Sequence, residues 1–148
     1  MDNKLIFRLK EFYTLETLQV AFYKAQVASA TDEYYGRAFQ KLVQIEQGHV
    51  DFFANKLEQA KIDPPTIVGS LFQLAGSIIG EAAESTGQHN TCKLGAALEN
   101  KATELYQTFI TESKTNNYSI LQDTLMENLL DEEFHALWLR DYMNKHPG

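Results

Sequence analysis

The chain has 148 residues, of which 44% are hydrophobic and 22% charged, a balance typical of one soluble globular domain spanning residues 1–148. Its net charge of −7 argues against a nucleic-acid-binding surface, and its single cysteine, Cys92, excludes both an internal disulfide and a paired-cysteine metal ribbon. The N-terminal residues enter an amphipathic pattern without an apolar signal-peptide core, so a reducing, cytoplasmic setting is expected.

Helical periodicity runs through two long stretches that contain no proline. The prolines are Pro64, Pro65 and Pro147, and apolar residues recur at three- and four-residue spacing on both sides of the first two. Small and polar residues at 28–32 and 113–117 indicate a turn within each stretch. The pattern predicts four helices in two hairpins, at about 4–29, 32–61, 90–113 and 118–144.

The crossover between the hairpins, about 62–89, has an unusual composition. Residues 64–80 carry no charge, and apolar side chains recur within them at helical spacing. Their length is at the lower limit for a membrane span, and three glycines and Gln73 weaken that interpretation. We expect a short extra helix laid along the bundle or against a partner subunit. The alternative is contact with a membrane surface through 64–80, which would make the protein peripheral to the membrane.

Two histidines follow a glutamate by three residues. Glu46 precedes His49 in the second predicted helix, and Glu132 precedes His135 in the fourth. This spacing places both side chains of a pair on one face of a helix, one turn apart, where a carboxylate and an imidazole can bind one metal ion. The two pairs alone are weak support for a metal site, because this spacing also arises by chance in a glutamate-rich chain.

Each predicted helix carries one glutamate in the middle of its apolar stripe, namely Glu16, Glu46, Glu99 and Glu132. Glu104, by contrast, has mostly polar neighbours one turn away and is expected in solvent. A buried carboxylate needs a partner or must take up a proton, and no lysine or arginine lies one turn from any of the four. Two divalent ions would balance four such charges. The alternative is four unrelated cases, such as neutral carboxyl groups or hydrogen bonds to tyrosine.

The two glutamates of each hairpin are placed symmetrically about its turn. The midpoint between Glu16 and Glu46 falls in the first predicted turn, and the midpoint between Glu99 and Glu132 falls in the second. Each glutamate is therefore about 15 residues, or roughly 22–25 Å, along its helix from the turn. Antiparallel packing within a hairpin would bring its two carboxylates to the same level.

An ordered set of carboxylates and imidazoles thus spans the four predicted helices: Glu16, Glu46 with His49, Glu99, and Glu132 with His135. This set resembles the ligand pattern of the ferritin-like di-iron carboxylate superfamily over nearly the whole chain. The chain looks most similar to the rubrerythrin and demethoxyubiquinone-hydroxylase branch. It departs from rubrerythrins in lacking a four-cysteine rubredoxin module and in having Ala96 one turn before Glu99, and from ferritins in lacking a fifth helix. The resemblance implies an all-α, ferritin-like four-helix bundle of two antiparallel hairpins.

The resemblance also implies a role for each of these residues. Two glutamates would bridge two metal ions, expected to be iron with manganese or zinc as alternatives: Glu46 and Glu132. The remaining ligands would divide between the two ions, with Glu16 and His49 on one and Glu99 and His135 on the other.

Three further residues could support the site. Asp131 precedes a candidate ligand and could orient an imidazole, or it could be an ordinary surface aspartate. Tyr23 and Tyr106 each lie seven residues after a candidate ligand, either as redox-active tyrosines or as core tyrosines hydrogen-bonded to carboxylates. His89 and His146 have no carboxylate one turn earlier and are interpreted as surface histidines.

The complete set predicts an oxidoreductase that activates oxygen or peroxide, either rubrerythrin-like or quinone-hydroxylase-like. Electrons are expected from a separate donor protein, because the chain shows no flavin, nicotinamide or rubredoxin signature. A homodimer is expected, and no catalytic residue beyond the metal ligands. Two alternatives stay open: a ferroxidase that handles iron, and a non-catalytic helical module whose apolar crossover binds a partner or a membrane.

Overall fold

The structure is a computed structural model that describes residues 2–66, 87–116 and 118–147. These residues form four α-helices: α1 (Asn3–Ser29), α2 (Glu33–Gln59), α3 (Gln88–Thr115) and α4 (Ser119–Lys145). Every predicted helix boundary lies within two residues of the observed one, and the described residues contain no strand. The prediction of an all-α chain with four long helices is confirmed.

The chain divides into two compact units, Met1–Leu74 and Ala75–Gly148. The first holds the hairpin of α1 and α2, and the second holds the hairpin of α3 and α4. Both hairpins were expected from the two proline-free stretches, because a sixty-residue amphipathic stretch must turn back to bury its apolar face. The assignment of 1–148 to a single domain stays a prediction.

The predicted crossover helix lies outside the described residues for most of its length, since residues 67–86 belong to none of the described ranges. The same holds for the membrane contact predicted through 64–80. Within the described ranges, none of the helices has an apolar stretch with the length and hydropathy that a membrane crossing requires. The crossover helix and the membrane contact therefore stay predictions.

The helices of the first hairpin have well-defined ends. The carboxylates of Asp2 and Asp32 each accept a hydrogen bond from the backbone N–H two residues further on, at 2.8 and 3.0 Å, and so cap α1 and α2. After α2, Lys61 adopts a left-handed conformation with φ of 58°, and the N–H of Ile62 donates to the carbonyl of Leu57 at 2.9 Å. This is a Schellman ending, with lysine where glycine is usual.

Aromatic rings fill the core of the first hairpin. Phe12 of α1 stacks on Phe53 of α2 with 5.3 Å between ring centroids, and Tyr23 of α1 packs against Phe39 of α2 at 5.5 Å. None of these four side chains has exposed surface. Two aromatic contacts therefore join α1 to α2, one on either side of the level of the predicted metal ligands.

The helices of the second hairpin begin without side-chain caps. The residues before α3 and α4 are Gly87, whose φ of 105° suits only glycine, and Tyr118, and neither makes a capping side-chain bond. Hydrogen bonds between other groups hold the ends instead. The Tyr142 hydroxyl donates to Oε1 of Gln88 at 2.6 Å, and the Tyr118 N–H donates to the Ser113 carbonyl at 2.8 Å.

Small residues are concentrated in the core of the second hairpin, where four glycine or alanine residues are buried: Gly95, Ala96, Ala102 and Ala136. Small side chains let two helices approach closely, and they share this core with the fully buried rings of Tyr106 and Phe109. Cys92 also has no exposed surface, and burial raises the pKa of its thiol to about 12. The thiol is therefore protonated and unreactive near neutral pH.

Candidate metal centre

In the first hairpin, two carboxylates converge on one imidazole. Nδ1 of His49 lies 3.3 Å from Oε2 of Glu16 and 3.3 Å from Oε2 of Glu46. One ligand atom from each of the three residues lies within 4.8 Å of the other two. Both glutamates are fully buried, and His49 is 4% exposed. The first hairpin thus brings together all three of the ligands predicted within it.

In the second hairpin, the corresponding residues form a similar group. Nδ1 of His135 lies 3.4 Å from Oε1 of Glu99. One ligand atom from each of Glu99, Glu132 and His135 lies within 4.8 Å of the other two. Both glutamates are fully buried, and His135 is 5% exposed. The two hairpins therefore bury the same trio of two glutamates and one histidine.

Helix register explains how the sequence positions these side chains. On α2 and α4 the three-residue spacing from glutamate to histidine keeps both side chains on the buried face, one turn apart. On α1 and α3 a single glutamate occupies the buried stripe that faces the partner helix of the hairpin. Glu104 of α3 is exposed, as its polar neighbours predicted, whereas Glu99 of the same helix is buried.

The donor sets have the chemistry of a transition-metal site. A single imidazole nitrogen carries at most one proton, so Nδ1 of His49 cannot donate a good hydrogen bond to both Glu16 and Glu46. Ligands bound to one ion at about 2.1 Å stand roughly 3.0–3.3 Å apart when their bonds meet near right angles. When ionised, the two carboxylates of each hairpin carry two negative charges in a buried place, and a divalent cation would offset them. Carboxylate oxygen with imidazole nitrogen suits iron or manganese and does not exclude zinc.

The two predicted redox tyrosines lie in different surroundings. Tyr23 is fully buried and packs against Phe39 in the aromatic core of the first hairpin. Tyr106 is also fully buried, and its hydroxyl accepts a hydrogen bond from Nδ2 of Asn128 at 3.2 Å. Asp131 is partly exposed next to its buried neighbour in the sequence. The supporting roles of these three residues stay predictions.

The two remaining histidines meet at one end of the second hairpin. Nδ1 of His89 lies 3.0 Å from the carbonyl oxygen of His146, and the His146 ring stacks on Tyr142 with 4.0 Å between centroids. In the described part of the chain, neither belongs to a cluster of three or more residues able to hold a metal ion. They take no part in the predicted metal sets.

Two buried amides on the ligand faces were not singled out by the sequence reasoning. Gln19 is fully buried three residues after Glu16, and Asn128 is 6% exposed four residues before Glu132. A usable signal was present for Gln19, because it follows its glutamate at the spacing that His49 has from Glu46. The hydrogen bond from Asn128 joins α4 to α3, so it cannot be predicted from the spacing of residues along one helix.

Comparison with solved structures shows the fold. The chain is similar to the crystal structure of ferritin-like, diiron-carboxylate proteins from Bacillus anthracis str. Ames, with a TM-score of 0.75 and 18% sequence identity. The alignment covers 97% of this chain and 99% of that one. The predicted ferritin-like four-helix fold is therefore confirmed, and at this identity the likeness is one of fold alone.

Comparison with protein families shows which family the chain belongs to. No curated protein is significantly similar to it in sequence. The family model described as ubiquinone biosynthesis protein COQ7 matches residues 16–146, a span that begins at Glu16 and includes both Glu-x-x-His pairs. This match confirms the predicted resemblance to the hydroxylase branch of the ferritin-like superfamily. The chain belongs to the COQ7 family of ubiquinone biosynthesis proteins.

Proposed function

We propose that this protein is a di-iron oxidoreductase that reduces oxygen and hydroxylates an organic substrate of the quinone type. The observation that carries the proposal is the burial of the same trio, two glutamates and one histidine, in each hairpin. The family name points to quinone chemistry, and the similar protein from Bacillus anthracis is a diiron-carboxylate protein by name. Both agree with an oxidoreductase of the di-iron type.

The family and the fold imply two iron ions as the cofactor, and the buried donor sets are suited to bind them. In our proposal two residues bridge the ions, Glu46 and Glu132. The other ligands complete one ion each, as Glu16 with His49 and as Glu99 with His135. The distances from histidine Nδ1 to glutamate oxygen, 3.3 Å in the first hairpin and 3.4 Å in the second, support this division of the ligands.

Bound iron would supply the electron transfer to oxygen that side chains cannot perform. The protein would hold its ligands in register and exclude bulk water from them, which their burial supports. Hydroxylation places one oxygen atom in a C–H bond of the substrate and releases the other as water. This balance requires two electrons and two protons from outside, so we infer a separate electron donor.

Metal analysis and isotope labelling test the proposal together. Protein produced with ample iron and purified without chelators should contain about two iron ions per chain. After reduction with dithionite, addition of ¹⁸O₂ and a demethoxylated quinone should give a product that carries one ¹⁸O atom, detected by mass spectrometry. Protein that stays free of metal would contradict the di-iron site.

Two other outcomes would assign a different function to the same di-iron site. Iron-loaded protein that oxidises and retains added ferrous iron without forming the labelled product would be a ferroxidase. Protein that consumes peroxide faster than oxygen, again without labelled product, would be a rubrerythrin-like peroxidase. The same preparation serves all three assays, so the three readings can be compared directly.

A further inference from the structure

A second apolar face runs along α4, on the side opposite its buried residues. Four side chains form it: Met126, Leu130, Phe134 and Leu137, which are 49%, 45%, 65% and 57% exposed. Their spacings of four, four and three residues keep them within about one quarter of the helix circumference. We call this face the outer stripe. Exposed large hydrophobic residues that lie in a row mark an interaction surface more often than scattered ones do.

We propose that the outer stripe is the surface through which two copies of this chain associate as an antiparallel, two-fold symmetric dimer. Leu130 and Leu137 lie almost symmetrically about Phe134 along the helix. When two such helices pair in opposite directions, Leu130 of one copy faces Leu137 of the other, and the two Phe134 rings meet beside the symmetry axis. A two-fold interface must be self-complementary in this way.

The size of the outer stripe matches what a small dimer needs. At these exposed fractions each side chain presents about 100 Å² of accessible surface, or roughly 400 Å² for the stripe. A standard interface buries about 800 Å² on each partner, and homodimer interfaces are about 65% apolar, which amounts to roughly 500 Å² of apolar surface. The outer stripe alone supplies most of that apolar area.

Charge around the outer stripe argues against a lipid or nucleic-acid partner and gives the dimer a distinctive response to salt. Exposed charged residues border the stripe, with four acids outnumbering two bases: Asp123, Glu127, Glu133 and Asp141, the last of them ion-paired with Lys145 at 2.9 Å, and Arg140. An anionic membrane or nucleic acid would be repelled by this border and by the net charge of −7. In a dimer the excess of acidic over basic residues on the two borders causes a weak repulsion, which added salt screens. Self-association should therefore strengthen as salt is raised, whereas binding to a basic partner would weaken.

Sedimentation velocity and light scattering of the full chain test the proposal, over concentrations of about 1–100 μM. We expect a dimer for the natural sequence, with a lower dissociation constant at 500 mM than at 50 mM salt. Leu130→Lys and Phe134→Lys should each raise the dissociation constant by at least about 100-fold, because each puts a charge into the apolar contact. Ile120→Lys is the matched control: it replaces an 86% exposed residue of the same helix that lies off the outer stripe.

Several outcomes would overturn the proposal. They are a monomer at 100 μM, a dimer that the stripe variants leave intact, and a dimer that Ile120→Lys weakens as much as Phe134→Lys does. A monomer that floats with neutral phosphatidylcholine vesicles would assign the outer stripe to lipid instead. Circular dichroism checks that each variant is folded, and Leu137→Ser gives a milder second test. These measurements need no metal, so they are independent of the proposed function.

Discussion

The two hairpins bury the same donor trio and differ in the residues on their exposed faces. In α2 the residue before His49 is Gly48, and in α4 the residue before His135 is Phe134; both positions are exposed. A Cβ atom added at Gly48 would meet nothing within 4 Å, whereas Phe134 presents a ring that is 65% exposed. The donor trio therefore constrains one side of each helix and leaves the other free. Differences between the hairpins are differences of surface more than of site.

The cores behind the two donor trios also differ. Aromatic pairs join α1 to α2, and aspartate caps begin both helices. The second hairpin has small buried residues and no side-chain caps on the described starts of α3 and α4. The same arrangement of ligands thus forms on two unlike supports, which indicates that helix register, and not one particular core, sets the geometry of the donors.

Removal of a proposed bridging ligand should have the largest effect and would test whether the hairpins are equivalent. Glu46→Ala and Glu132→Ala should each remove at least one iron ion per chain and reduce turnover by more than about 100-fold. Elemental analysis and oxygen consumption measure both. Glu104→Ala, an exposed glutamate of α3, is the control and should keep its iron. Full iron content in either bridging variant would contradict the proposed ligand set.

Changes in side-chain size should separate the two cores. Phe53→Ala removes a fully buried ring that stacks on Phe12, and we expect a loss of about 3–5 kcal/mol in the free energy of unfolding. In the second hairpin enlargement should be the harmful change, with Ala102→Leu costing about 1–3 kcal/mol. Urea denaturation measures both variants. A core that tolerates Ala102→Leu without loss would show that its small residues are not closely packed.

Helix capping should contribute to the first hairpin and not to the start of α4. Asp32→Ala removes the side-chain acceptor of the Tyr34 N–H and should cost about 1 kcal/mol. Ser119→Ala changes the first residue of α4, which follows an uncapped start, and should stay within about 0.5 kcal/mol of the natural sequence. The difference between these two unfolding free energies is the quantity to compare. Equal losses would mean that the cap at Asp32 has no special importance.

The open outer face of α2 should accept a methyl group. Gly48→Ala fills space in which nothing lies within 4 Å and removes the flexibility of glycine from a helix interior. We expect a gain of about 0.5–1 kcal/mol in unfolding free energy with unchanged iron content. Denaturation and elemental analysis check the two parts. A loss of stability would show that the outer face of α2 is covered in solution.

The buried thiol of the second hairpin should have a small effect near pH 9, which is visible only at alkaline pH and grows as pH rises. Burial raises the pKa of Cys92 from 9.0 to about 12 in the folded chain. The folded state therefore keeps a proton that the unfolded state releases above pH 9, and stability is lost as pH rises from 9 towards 12. The loss is about 0.4 kcal/mol at pH 9. Cys92→Ala should abolish this part of the pH dependence of unfolding, and an unchanged profile would contradict it.

Much of the fold could be predicted from the sequence because helix periodicity is a local signal. The apolar neighbours of Glu16 and Glu99 one turn away identified both as buried, and the structure agrees. The end of α2 was harder to predict, since Lys61 adopts a left-handed conformation in which glycine is the usual residue. The pairing of Asn128 with Tyr106 joins two helices, and no pattern along one helix reveals such a bond.

The outer stripe of α4 shows a different limit of sequence reasoning. In a helix with two apolar faces, the apolar residues of both faces overlap in the sequence pattern. Only the face that carries Glu132 and His135 was predicted from it. Only the exposure of Phe134 and its neighbours in the structure separates the outer stripe from the core. The ligands could be found because their chemistry is specific, whereas apolar side chains identify a face only once burial is known.

The equal distance of the paired ligands from each turn limits which insertions and deletions the gene can tolerate. Residues added to the turn at 30–32 lengthen a loop and leave the numbering within α1 and α2 intact. One residue inserted between Phe39 and Glu46 rotates everything beyond it by about 100° and would take Glu46 and His49 off the face shared with Phe39. Length variation among related sequences should therefore collect in the turns, while the four helices keep a fixed count of residues between turn and ligand.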